Sequence, residues 1–251
     1  MAREYGLIAL LVALQIMFWS RTHDVFPDMS IVPDVPGAQT VQALAMGDEQ
    51  TLFRLSALRI QNAGDTFGRF TALYQYDFRK LYQWFRLLDV LDNRSNYVPS
   101  MASYYFSQTQ NTQDVRYVVD YLTEHAHGRA QQKWWWVVQA IYLAGHRLKD
   151  QDLALKVSQP LVGLTGVPLW VSQMPAFVHE KRGEMDAALK IIENIVNSSE
   201  SLTPGELAFM KQFVDERLNR LDQIRSTLEK AQDKVKSDPS HTQQEKPERT
   251  N

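Results

Sequence analysis

Lys181-Arg182-Gly183-Glu184-Met185-Asp186-Ala187-Ala188-Leu189 is the stretch on which the fold reading turns. Gly183 lacks a Cβ, so it can end a helix in the left-handed region without steric penalty. Asp186 stands where a carboxylate accepts from the orphan amides of a new helix and meets the positive end of its dipole. Leu189, Ile192, Ile195 and Val196 then recur at helical spacing. The nine residues therefore read as a turn between two helices. A related break, with Asp followed by an apolar opening, recurs at Tyr76-Asp77-Phe78, Gln113-Asp114-Val115 and Gln151-Asp152-Leu153. The aspartates stand 37, 38 and 34 residues apart, and each precedes an amphipathic helix. A period in the thirties built of helix–turn–helix units predicts an all-α solenoid.

The 181–189 stretch resembles the inter-helix turn and second-helix opening of a tetratricopeptide repeat. In that repeat a Gly caps the first helix, and an early Ala in the second lets the helices cross closely. Ala188 holds that position, Ala176 the small position of the preceding helix, and Ala154 lies 34 residues before Ala188. The unit before it, Leu148 to Lys156, is similar but carries Lys149 in place of the Gly. Further upstream Asn111 is expected to supply the left-handed cap. The resemblance covers about 77–197 and departs from the family pattern in the bulky Trp134-Trp135-Trp136 and in Pro175, which should kink its helix. It implies a right-handed α-solenoid that binds proteins.

Outward from the repeat, an opening helix is expected over Asp48–Asn62 and a second over Thr66–Tyr74, with the repeat domain spanning 47–202. Thr203-Pro204-Gly205-Glu206 reads as the start of a capping amphipathic helix over 203–236, and the polar tail 237–251 should be disordered. Pro27, Pro33 and Pro36 make residues 22–46 read as an extended spacer. Before it, Tyr5 to Trp19 is apolar except for Gln15. Its fifteen positions span roughly 22 Å as a helix, marginal for a hydrocarbon core of about 30 Å unless Arg3 and Arg21 snorkel. No small-x-small cleavage site follows, so residues 1–21 are read as a signal anchor, with a cleaved signal peptide or a soluble helix as the alternatives. An anchor of this kind predicts a single-pass protein with its body outside the cytoplasm, and the resemblance to small membrane proteins with such repeats implies a bacterial inner membrane.

The overall composition mainly excludes. Lys and Arg number 27 against 29 Asp and Glu, a balance unlike that of a nucleic-acid binder. With no cysteine among 251 residues there is no thiolate chemistry, disulfide or zinc-thiolate site. Gly-rich phosphate loops, nucleophile elbows and zinc-protease signatures are absent. The expectation is a non-enzymatic protein without cofactor, metal or nucleic acid, acting through protein partners.

Of 27 aromatic residues, eighteen lie between Phe67 and Tyr142. Tyr104, Tyr105, Trp134, Trp135, Trp136 and Tyr142 point around their helices in every direction, so they cannot all enter one core. They divide between inter-repeat packing and a candidate groove for peptide or glycan, since flat rings give large contact area at little entropic cost. His125 and His127 lack a third ligand and read as capping or surface residues, as do His146 and His179. The basic run from Arg54 to Arg94 reads as a solvated face, with lipid headgroups or an acidic partner as the alternatives. Glu180 and Glu184, the remaining carboxylate pair considered, sit among basic residues.

Overall fold

Asp77 accepts from the Lys80 amide at 3.0 Å and starts α4 (Phe78–Asp92). The helix then buries Phe78, Leu81, Trp84, Phe85 and Leu88 along one side. The next long helix, α6 (Val115–Ala126), buries Val115, Val118, Val119, Tyr121 and Leu122. Each such side chain removed from water contributes about 1.5–3 kcal/mol. These faces meet around Phe106, whose ring lies 5.6 Å from Phe85, 6.0 Å from Tyr76 and 6.4 Å from Phe78. Helix α3 (Glu49–Gln61) packs on α4, α4 on α6, and α6 on α7 (Ala130–Tyr142). Serial packing of neighbouring helices is what a helical repeat requires.

The computed structural model describes residues 2–24, 30–66 and 68–198, with 205, 208, 211–212 and 214–216. They are helical apart from one antiparallel pairing of two-residue strands, β1 (Asp65–Thr66) and β2 (Arg69–Phe70). Residues 1–153 and 154–251 form two units. Most of 203–236 and all of 237–251 lie outside the described residues.

In the first unit two helices loosen into π-turns. α5 (Tyr97–Ser100) runs into one over Met101–Tyr105, and α7 into another over Leu143–Arg147. A π-turn inserts a residue into the helical register and re-aims the side chains around it. Here Met101, Ala102 and Ser103 stay buried while Tyr104 and Tyr105 reach the surface. The second π-turn ends with Arg147, whose Nη2 donates to the carbonyls of Ser107 at 3.1 Å and Thr109 at 2.8 Å.

Three local expectations are corrected. The helix expected over Thr66–Tyr74 is replaced by the β1–β2 pairing and a single turn over Leu73–Gln75. Gly64 and Gly68 hold φ of 79° and 74°, which helical backbone does not allow. The stretch read as a 22–46 spacer is folded in its second half. Val32 is buried, Trp84 Nε1 donates to the Pro33 carbonyl at 2.8 Å, and Ala38–Ala45 forms α2. Trp84 is buried with an indole N–H that needs an acceptor, and Pro33, unable to continue a helix, leaves its carbonyl available. Asn111 is not left-handed: at φ −83° it accepts from the Gln113 amide and opens the turn before α6.

The left-handed position does recur without glycine. Lys149 takes φ 56° where Gly183 takes φ 78°. The aspartates of the repeat stand at helix starts, though by different means. Asp150 rather than Asp152 caps α8 (Gln151–Ser158), accepting from the Leu153 amide at 2.8 Å. Asp114 makes no capping bond and closes the turn before α6.

In the second unit Pro175 stands at the start of α10 (Met174–Lys181), separated from the short α9 (Leu169–Ser172) by Gln173. The expected kink is thus a break. Gly183 closes α10 with paired bonds, its own amide to Glu180 O at 2.9 Å and that of Glu184 to His179 O at 2.9 Å. Helix α11 (Met185–Ser198) follows, with Asp186 in its first turn. Ala176, Ala188, Ile192 and Ile195 form one buried cluster, against which Leu169, Phe177, Ile191 and Val214 pack. Two alanines at the crossing let α10 and α11 approach closely. Ala154 is likewise buried.

Ahead of all this, α1 (Ala2–Thr22) carries no buried residue over Tyr5–Thr22. Those 18 residues have a mean hydropathy of 1.4, long and apolar enough to cross a membrane.

Candidate functional site

The β1–β2 turn, the end of α3 and the first π-turn enclose a groove of about 480 Å³. Gly64 makes its floor possible. A Cβ there would run into the Tyr76 hydroxyl, which itself donates to the Ala63 carbonyl. Tyr97 donates to Gln61 Oε1 across the groove end. Tyr104 and Tyr105 form one wall and Phe70 stands exposed on another. Polar groups of Gln61, Asn62, Asp65 and Thr71 complete the lining. Burial first, then the charge and hydroxyl of Tyr105, push the Tyr76 phenol up to about 12. Tyr76 therefore acts as a neutral hydrogen-bonding group at ordinary pH.

Of the six aromatic candidates, four come together. Trp135 Nε1 donates to the Tyr104 hydroxyl at 2.8 Å, and Tyr104 meets Trp136 edge-on at 6.4 Å. Trp136 is buried with its Nε1 on Asn96 Oδ1 at 3.2 Å, so it supports the wall rather than presenting a face. Tyr105 packs on Phe106 at 4.9 Å with its outer side open. Trp134 stacks edge-on against Trp135 at 5.7 Å, and the groove lining itself holds Tyr104 and Tyr105 but none of the three tryptophans. Tyr142 lies apart, over the His146 ring at 4.8 Å. Gln61, Phe70, Tyr76 and Tyr97 were not singled out from sequence; Phe70 lies in a two-residue strand, which carries no readable period.

A second constellation lies in the core between α4, α6 and α7. Asp89 Oδ2 accepts from His125 Nδ1 at 2.6 Å, and its Oδ1 from the Tyr121 hydroxyl at 2.9 Å. His125 Nε2 faces Lys133 Nζ at 2.9 Å, and Lys133 also donates to the Asn93 carbonyl. Helix α7 leaves helical geometry at Lys133 itself, with φ −116° and ψ 21°. Donation runs one way, from Lys133 through His125 to Asp89. Burial lowers the Lys133 pKa, partly opposed by Asp89, and burial with the Asp89 charge raises that of Tyr121 well above its ordinary range. His125 is therefore not the surface or capping residue expected, and both its nitrogens are occupied. His179 also differs from expectation, pairing through Nδ1 with Glu184 Oε2 at 2.6 Å. That histidine, followed by Arg182, holds the Glu184 carboxyl below its usual range.

A sequence signal for the Asp89 chain did exist. Asp89 and His125 are 36 residues apart, as are Asn93 and Arg129, and Gln61 and Tyr97, each pair hydrogen-bonded. Side chains 36 residues apart meet across neighbouring helices or at their ends, so adding that length to a polar residue finds its partner in these three cases. The chain opens on a polar cleft lined by Arg86, Asn93, Glu124 and Arg129. Arg86 is engaged there by Glu124 at 3.1 Å. The chain ties α4, α6 and α7 together beside that cleft.

No family model, no curated protein and no solved structure matches the chain. The functional reading rests on the groove and on the apolar α1.

Proposed function

We propose that the protein is a membrane-anchored, tetratricopeptide-like scaffold that holds an extended segment of a protein partner in the aromatic groove. α1 is the anchor, with the repeat body outside the cytoplasm of a bacterial cell, in an envelope-associated assembly or secretion system. The observation that carries the binding role is the cluster of outward rings, Phe70, Tyr104, Tyr105 and Trp135, beside the amide and carboxyl groups of Gln61, Asn62 and Asp65. Rings supply rigid contact area, and polar groups around them satisfy a peptide backbone. The left-handed turns at Lys149 and Gly183 and the alanine crossing of α10 and α11 support the tetratricopeptide reading.

Photo-crosslinking in native membranes tests this function. A crosslinker at Tyr104 should give a discrete protein adduct that one at Arg116 does not. Tyr105→Ala and Trp135→Ala should weaken the adduct at least about ten-fold while helicity is retained, as for an interface anchor. An adduct unchanged in both folded variants would end the groove reading. A tryptophan fluorescence change with oligosaccharides and not with peptides would instead assign the groove to glycan, in an export pathway.

A further inference from the structure

Proline-rich residues 30–36 strap the repeat body to a point close to α1. Val32 is buried and Pro33 is held by Trp84, while Asp34 pairs with Lys80 at 2.6 Å. Only residues 23–31 separate Val32 from the end of α1 at Thr22. Even fully extended, such a length reaches no more than about 35 Å. The surface around Trp84 is thereby confined near the end of α1. Pro33 and Pro36 line a cleft of about 440 Å³ together with Val41 and Leu44 of α2, Leu52 and Arg59 of α3, and Trp84. Helices α2 and α3 are thus the part of the body held nearest the anchor.

That part has an unusual outer face. Helix α3 turns Phe53, Ala57 and Ile60 inward. On its opposite side Leu55 and Leu58 are 62% and 51% exposed, and Met46 at the end of α2 is 90% exposed. At 100° per residue Arg54 and Arg59 fall on either side of the two leucines. Asp48 and Glu49 are confined to the start of α3, where Asp48 is occupied capping the Thr51 amide at 2.9 Å. Exposed leucines bordered by arginines are the pattern of a helix lying in a bilayer interface: apolar side chains enter the acyl boundary and guanidinium groups meet lipid phosphates.

Resting on the reading of α1 as a membrane anchor, we infer that the outer face of α3 and the tip of α2 dock on an anionic phospholipid surface through Met46, Leu55, Leu58, Arg54 and Arg59. Tethering by α1 makes this docking intramolecular, so a contact too weak to recruit a free protein suffices. Docking fixes how the aromatic groove is presented above the bilayer, where the anchor alone would leave the body free to tumble.

The cysteine-free chain allows a direct test. Leu11→Cys, Met46→Cys, Leu58→Cys and Arg116→Cys are introduced singly into the full chain and labelled with an environment-sensitive fluorophore. Each is reconstituted in vesicles of phosphatidylcholine and phosphatidylglycerol carrying nitroxide lipids. Leu11 should be quenched by deep nitroxides. Met46 and Leu58 should be quenched by shallow ones at least about two-fold more than Arg116, as an interfacial helix requires. Replacing Arg54 and Arg59 by Gln, or omitting phosphatidylglycerol, should abolish the difference at Leu58. Quenching at Leu11 without it at Met46 and Leu58 overturns the docking and leaves the anchor standing. An unquenched Leu11 overturns both, and quenching at Leu58 indifferent to lipid charge overturns the arginine contacts on which the proposal depends.

Discussion

The groove at Tyr104 and the buried chain at Asp89 lie on neighbouring helices, yet they spend their polar groups in opposite ways. In the groove, hydroxyls and amides line open space, and rings keep a face toward water. In the chain, Asp89, His125, Lys133 and Tyr121 satisfy one another. Here the donors and acceptors of acid, imidazole, amine and phenol side chains join three helices. The groove, by contrast, is lined mainly by rings, hydroxyls and amides.

The largest effect should come from breaking the closed half of this contrast. Asp89→Ala leaves a buried lysine, histidine and phenol facing no carboxylate. It should cost about 3–5 kcal/mol, as removal of one partner from a buried ionic network does. Urea denaturation measures it, and a loss under about 1 kcal/mol would mean the chain is solvated rather than buried. Next comes the groove floor. Gly64→Ala must place a side chain at positive φ against Tyr76, and should cost about 1–3 kcal/mol with loss of partner binding.

How much of this was legible in the residues depends on which physics set each feature. Helices α4, α6 and α11 follow from apolar spacing behind an aspartate, because local hydrogen bonding and one buried stripe decide them. The left-handed turn was readable at Gly183 but not at Lys149, where the same conformation is imposed on a residue that disfavours it. Tyr104 and Tyr105 were identified by ring density, whereas Gly64 and Phe70 join them only through a turn with no periodicity. The Asp89–His125 pair was missed because a lone histidine at a helix end was read by its neighbours in sequence, not by its partner one repeat away.

Alkali should probe both regions through their phenols. Folding raises Tyr76 from 10.0 to about 12, burial being the first cause, and raises Tyr121 well beyond its ordinary value. Between these values the unfolded chain releases protons that the native one keeps, so stability must fall as pH rises from about 10 to about 12. Lys133, lowered by burial, acts with the opposite sign below its ordinary value of 10.5. A urea midpoint constant through that range would contradict the burial of the phenols. Smallest of all should be the stability change of Tyr105→Ala, under about 1 kcal/mol by the same denaturation, because its ring is half exposed. A large loss there would turn a recognition surface into a packing element and erase the contrast.

The π-turn at Met101–Tyr105 also sets which rings face outward. Deleting one residue from it would restore ordinary helical winding and swing the following side chains by about 100° relative to those before. Met101 and Ala102 precede the re-aimed rings and could keep their places in the interior. A single codon, lost or gained, would then exchange one set of outward rings for another. The outward set of rings can thus drift by length polymorphism at one helix, where a smooth helix would require several coordinated substitutions.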